Sequence, residues 1–109
     1  AANADIYFCE VLSFGIGRPS GSTLPLTPPE GYIVNTEEGW RPDDGEAYLG
    51  DCEIVTHPSQ SSIVCKGGIK GVAEDIFVIR ASSPELEFTF TTNFYGISAS
   101  AVAGTCIKA

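Results

Sequence analysis

Apolar and polar residues alternate along much of this chain. The alternation is clearest at residues 86–92, where Leu86, Phe88 and Phe90 interleave with Glu87, Thr89 and Thr91. A period of two sends successive side chains to opposite faces of a strand, here one face to a core and one to water. Residues 75–81 read as its partner strand, joined through Ser82-Ser83-Pro84-Glu85. Residues 6–14 predict a first strand with Ile6, Phe8, Leu12 and Phe14 on one face, Glu10 as the exception, and Tyr7, Cys9 and Val11 on the other. Two apolar faces imply a central or sandwiched strand. Residues 32–35 form a short strand, and residues 47–56 and 61–66 the arms of a hairpin. Residues 97–107 admit a helix, but Gly96, Gly104 and the alternation of Ile97, Ala99, Ala101 and Ala103 favour a strand.

Between these elements, residues 15–31 carry Pro19, Pro25, Pro28 and Pro29. Proline removes backbone donors and pushes the preceding residue to extended geometry, so this segment reads as a long, stiff surface loop. Residues 36–45 are acidic and turn-rich and hold the only tryptophan, Trp40, while Gly67-Gly68 and Gly71 loosen the chain after the hairpin. About seven short strands, with turn signals roughly every 8–14 residues, predict an all-β, mainly antiparallel sandwich or barrel. With 109 residues, no repeat and no linker, residues 1–109 read as one domain. Composition agrees: 43% of residues are hydrophobic and 18% charged, and Gly 12 and Pro 7 interrupt any long helix.

Four cysteines, Cys9, Cys52, Cys65 and Cys106, include no CxxC pair, and His57 is the only histidine. Zinc sites need closer spacing, so the set predicts two structural disulfides and no metal. Counting alone leaves three connectivities open. The hairpin register narrows them. A turn at His57-Pro58-Ser59-Gln60, with Pro58 at the second position, sets Cys52 opposite Cys65 and Ile54 opposite Ile63. Opposed residues lie about 4.5–5.5 Å apart, within disulfide reach. That pairing leaves Cys9 and Cys106 to join the chain ends. Disulfides imply an oxidising, extracellular setting. The start Ala1-Ala2-Asn3-Ala4 matches the small-x-small pattern left by signal-peptide cleavage. No apolar run approaches the roughly 18 residues that span a bilayer.

The net charge of −8 argues against nucleic acid and anionic membrane as partners, and no membrane insertion is expected. The acids cluster. Residues 30–53 contain Glu30, Glu37, Glu38, Asp43, Asp44, Glu46, Asp51 and Glu53, with Arg41 the only base. This field favours a basic protein partner.

Candidate chemistry is sparse. His57 has Ser59, Ser61, Ser62, Asp51 and Glu53 near it in sequence, but a tight turn offers no shielded pocket and no GxSxG elbow is present. One histidine rules out a two-histidine ribonuclease and leaves only a histidine–glutamate variant with Arg80. The pairs Asp43/Asp44 and Glu37/Glu38 resemble glycosidase carboxylates only in adjacency. Asp43-Asp44-Gly45-Glu46 with Asp51 lacks the ligand spacing of an EF-hand. Hydrated turns account for all of these. Trp40, between Gly39 and Arg41, reads equally as an exposed anchor, a cation–π partner or a core residue. The proline-rich loop 18–30 is the strongest recognition candidate, because a pre-ordered backbone docks at lower entropic cost. The candidate binding residues are therefore Arg18, Leu24, Leu26, Trp40 and Arg41, with no catalytic residue and no cofactor.

The aromatic strand start Tyr7-Phe8-Cys9, the late Cys106 and the internal Cys52/Cys65 pair resemble small secreted fungal proteins: apoplastic effectors, elicitors and allergen-like β-barrels. Ribonuclease-like effectors carry a helix after the first strand, where this chain has its proline-rich loop. The resemblance implies a secreted, non-enzymatic role in host or microbial interaction. The alternatives are a protease or hydrolase inhibitor presenting loop 18–30, and a small secreted hydrolase.

Overall fold

A computed structural model of the chain describes residues 4–21, 27–57, 60–80 and 86–109, with only the backbone of His57 and Gln60. Among them, eight strands form one sheet: β1 (Ile6–Gly17), β2 (Gly31–Asn35), β3 (Gly39–Pro42), β4 (Asp51–His57), β5 (Gln60–Ile69), β6 (Ala73–Arg80), β7 (Leu86–Phe94) and β8 (Ser98–Lys108). Their order is β3-β2-β1-β8-β7-β6-β5-β4, and each neighbouring pair is antiparallel. The two edges then meet. Trp40 of β3 and Leu49, two residues before β4, exchange both backbone hydrogen bonds at 2.9 and 2.7 Å. Each strand thus lies beside its neighbours in sequence, and the sheet rolls into a nearly closed up-and-down barrel.

Why β1 pairs with β8 is written in the side chains. Cys9 faces Cys106 and the two are bonded, with Cα atoms 4.0 Å apart. Cys52 faces Cys65 in the β4–β5 hairpin and is likewise bonded, at 3.9 Å. Both disulfides and the Ile54↔Ile63 register agree with the sequence expectation, and disulfides of this kind are consistent with an extracellular protein. Residues 98–108 are strand, not helix. The ladder runs to His57↔Gln60, the closing pair that the expected four-residue turn requires, and Pro58 and Ser59 lie outside the described residues.

The interior is filled rather than hollow, as a barrel of eight strands requires. Phe77 stacks on Phe88 at 5.1 Å and meets Tyr32 at 5.5 Å, Phe90 at 5.4 Å and Trp40 at 6.2 Å. Aromatic pairs of this geometry add about 0.5–1.5 kcal/mol each beyond the area they bury. Val34, Ile63, Ile79 and Val102 complete the core.

Three expectations are corrected. Residues 36–45 are not all turn, because Gly39–Pro42 is a strand, which makes the eighth. The face shared by Phe8 and Phe14 is broken by a β-bulge between Val11 and Ser13. Leu12 is the extra residue, so Tyr7, Cys9 and Val11 point inward before it and Phe14 after it, while Phe8 and Leu12 are exposed. Gly104 lies opposite Val11, and a side chain there would collide with the carbonyl of Glu10, so β1 can press against β8 only at a glycine. Finally, Gly67 and Gly68 do not loosen the chain. β5 runs through them to Ile69.

Candidate functional site

The strand registers make one end of the barrel project. β4 begins at Asp51, opposite Lys66, yet β5 and β6 continue past it through Gly67↔Asp75, Gly68↔Glu74 and Ile69↔Ala73. Three further pairs extend the hairpin by about 10 Å. The β7–β8 hairpin extends equally far, because Ala73 pairs with Phe94 and Phe94 with Ser98.

The two turns at this end are built alike. In Ile69-Lys70-Gly71-Val72 the amide of Val72 donates to the carbonyl of Ile69 at 2.9 Å, and in Phe94-Tyr95-Gly96-Ile97 that of Ile97 donates to Phe94 at 2.8 Å. The third residue of each is a glycine at positive φ, 79° for Gly71 and 73° for Gly96, the requirement of a type II turn. The amide of Tyr95 donates to the carbonyl of Val72 at 3.0 Å and locks the tips side by side.

These turns carry apolar side chains where turns ordinarily carry polar ones. Ile69 is 63% exposed and Ile97 60%, and Val72, Phe94 and Tyr95 are also exposed. The two bonded turns thus bring five large exposed apolar side chains to one end of the barrel. Exposed apolar surface gathered in this way marks contact sites on small proteins. On one flank, a groove of about 370 Å³ runs between the end of β1 and the β7–β8 tip, lined by Arg18, Pro19, Phe94 and Ile97. Charge is distributed unevenly here. Residues 66–73 and 93–99 contain Lys66 and Lys70 and no acidic residue.

A second depression, of about 420 Å³, lies on the outer face of β1, β2 and β8. Phe8, Ile33 and Ile107 form its floor, and Glu10, Glu30 and Asp43 line it as well.

The sequence-derived candidates separate. Arg18 joins the projecting end. Leu24 and Leu26 lie outside the described residues. Beyond them, Thr27, Pro28 and Pro29 cover one mouth of the barrel, against Phe14, Tyr32 and Phe90, around a hollow of about 200 Å³. Trp40 is 1% exposed, so the core reading holds and the surface anchor is corrected: its indole lies against Phe77 and Phe90. Arg41 finds its aromatic partner elsewhere, 5.4 Å over the ring of Tyr48, and donates to the carbonyl of Gly45 at 2.6 Å. This ties down the loop between β3 and β4.

The acidic candidates Glu37, Glu38, Asp43 and Asp44 lie at the surface, and among the described residues no three His, Cys, Asp or Glu side chains converge as metal ligands. The side chain of His57, and Ser59 with it, lies outside the described residues. Among the described residues, the titratable group most altered by the fold is the Tyr32 phenol in the core. Burial pushes it up to about 12, and the nearby Asp43 and Asp75 carboxylates add to the rise. Such a phenol is held as a neutral packing element.

The projecting apolar residues were not among the sequence candidates. The available signal was the repeated pattern of a large apolar residue, any residue, glycine and a β-branched residue, at 69–72 and again at 94–97. No protein-family model matches this chain, and no curated protein or solved structure matches it either.

Proposed function

We propose that this protein is a secreted, non-enzymatic interaction protein, acting as a fungal effector does on a host or microbial target, and that it binds through the projecting end of its barrel. The observation that carries this reading is the concentration of five large apolar side chains on two turns bonded to one another. Single exposed apolar residues are ordinary on protein surfaces, but five gathered on two bonded turns are costly unless something covers them. The barrel supports the reading from beneath. Its disulfides and filled aromatic core fix the two hairpins, so little ordering entropy is lost when the tips are covered.

Placing a benzophenone amino acid at Tyr95 tests this. Photolysis on living plant tissue or intact microbial cells should give a discrete adduct, and Ile97→Ser should abolish it. The same group at Thr89, exposed at mid-sheet, should give none. Equal labelling from both positions, or none from Tyr95, would overturn the assignment.

A further inference from the structure

The barrel closes along one seam, and only part of the way. Trp40 and Leu49 exchange hydrogen bonds there, and the end of β2 approaches the start of β4, with the carbonyl oxygen of Asn35 3.8 Å from Sγ of Cys52. Thr36-Glu37-Glu38 then turn the chain back into β3, while β4 runs on through Ile54, Val55 and Thr56 to His57. Among the described residues β5 is the only strand paired with β4, so beyond Cys52 one edge of β4 is bare.

The ladder shows which backbone groups that edge presents. The Cα atoms of Cys52 and Cys65 are 3.9 Å apart, the narrow spacing of an antiparallel pair that exchanges no hydrogen bonds. Alternation along the ladder makes Ile54↔Ile63 and Thr56↔Ser61 pairs of the same kind. The amides and carbonyls of Ile54 and Thr56 therefore point away from β5, and they meet no backbone partner among the described residues. The side chains agree. Ile54 lies opposite Ile63, which is 4% exposed, yet Ile54 itself is 64% exposed because no strand stands beside it. A bare edge of this kind accepts an added strand.

Charge says which strand. Glu53 in β4 and Glu37 and Glu38 in the turn beside its start are all exposed, and none is in an ion pair among the described residues. The cations of this region lie off the edge. Lys66 is in β5, opposite Asp51, and Arg80 is in β6, opposite Glu87. Lys108 pairs with Asp5 at 3.4 Å, and Arg41 is held by the carbonyl of Gly45. A second copy of this acidic chain would bring acid towards acid, whereas a basic strand would be attracted.

We infer that the bare edge of β4 takes up an extended segment of another polypeptide as an antiparallel strand, in which apolar residues that cover Ile54 alternate with basic residues that meet Glu53, Glu37 and Glu38. The free part of β4 points to the end of the barrel opposite the tips 69–72 and 94–97. This is a second contact surface, independent of the projecting end.

An acetylated, amidated heptapeptide of alternating lysine and valine, titrated into the intact protein and followed by amide nuclear magnetic resonance, tests it. The amides of Ile54 and Thr56 should shift and become slow to exchange, while those of the tips should not move. In the antiparallel pair the valines share the face of Ile54 and turn their amides toward β4. Methylating the valine nitrogens should therefore abolish binding, and methylating the lysine nitrogens should leave it intact. Ile54→Pro deletes one outward donor without touching the β4–β5 ladder, a change that an edge strand tolerates, and should weaken binding at least about tenfold. Glu53→Gln should weaken it about twofold to fivefold, and less at high salt. Thermal unfolding of each variant checks that the barrel persists, and the methylated peptides probe the same edge on the unaltered protein. No binding, binding indifferent to Ile54→Pro or to valine methylation, or equal binding of a peptide with glutamate in place of lysine overturns the inference. So does a dimer of the protein alone, seen by sedimentation equilibrium and dissolved by Ile54→Pro, because a second copy then holds the edge. None of these outcomes bears on the projecting end, which the photolabel at position 95 tests separately.

Discussion

Replacing Gly67 with alanine tests how the barrel closes. Gly67 lies in β5 opposite Asp75, and a methyl group on its Cα would stand 2.7 Å from Cη2 of Trp40 and 3.3 Å from Cα of Gly50. Carbon atoms pack at about 3.5–4.0 Å, so the methyl overlaps the indole by roughly 1 Å. The indole cannot swing away, since it is buried between Phe77, Phe90 and the Leu49–Gly50 segment. Overpacking of this kind costs about 1–3 kcal/mol. An alanine returns only about 0.4–1 kcal/mol by stiffening the unfolded chain. The expected net loss is about 1–2 kcal/mol, or roughly 4–12 °C in Tm for a chain of this size. Trp40→Phe removes Cη2 and by itself leaves a cavity, but it makes room for the methyl. In a double-mutant cycle Gly67→Ala should therefore cost less when combined with Trp40→Phe, with a coupling of about 1–2 kcal/mol. Guanidinium unfolding of the four proteins followed by far-ultraviolet circular dichroism reads this without relying on tryptophan emission. Additivity within about 0.5 kcal/mol, or a Gly67→Ala protein as stable as the parent, would refute the packing argument.

Two further outcomes are expected. Peptide mapping without reduction should recover Cys9 linked to Cys106 and Cys52 to Cys65. On the chain-entropy model, removing the first pair as serines costs about 4.7 kcal/mol and the second about 3 kcal/mol, so a larger loss from the short loop would contradict the model. Tyr32 has its folded pKa raised from 10.0 to about 12, so its contribution is fully present below pH 10 and is lost as pH rises through 12. The difference in phenolate absorbance between the parent and Tyr32→Phe should titrate near pH 12, and a transition near 10 would show that the phenol is solvated.

Much of the scaffold could be read from residue order, for identifiable reasons. The β4–β5 hairpin follows from local chemistry, since a proline-containing turn and two β-branched arms set one register, and that register pairs Cys52 with Cys65. Cys9 and Cys106 then had only each other. The misreadings lie where a distant residue decides. Trp40 sits in an acidic, turn-rich stretch, and nothing local says that its indole reaches across to Gly50 and Gly67. The glycines that receive it look in sequence like breaks in a strand. The bulge at Leu12 is equally silent, because a period of two carries no mark of one extra residue until the partner strand is known. The opposing signal, Gly104, lies at the far end of the chain, in the last strand.

The projecting end shows why function was less legible than fold. Each part was visible: Lys70-Gly71 and Tyr95-Gly96 are ordinary turn pairs, and Phe94 and Ile97 could as well have been core. Only the β6–β7 register, with Ala73 opposite Phe94, sets the two turns side by side, and only the late start of β4 at Asp51 leaves them standing clear. Net charge is coarse for the same reason. A value of −8 describes the chain, whereas a surface senses charges within about 8–10 Å of contact at ordinary ionic strength. Eight of the acids belong to residues 30–53: Asp51 and Glu53 lie in β4 and the other six in the connections before β2, between β2 and β3 and between β3 and β4, the last of which opens at the same end of the barrel as the two tips, which themselves hold none. Composition therefore argues about solubility and steering of the whole molecule, and the fold decides which charge meets a partner first.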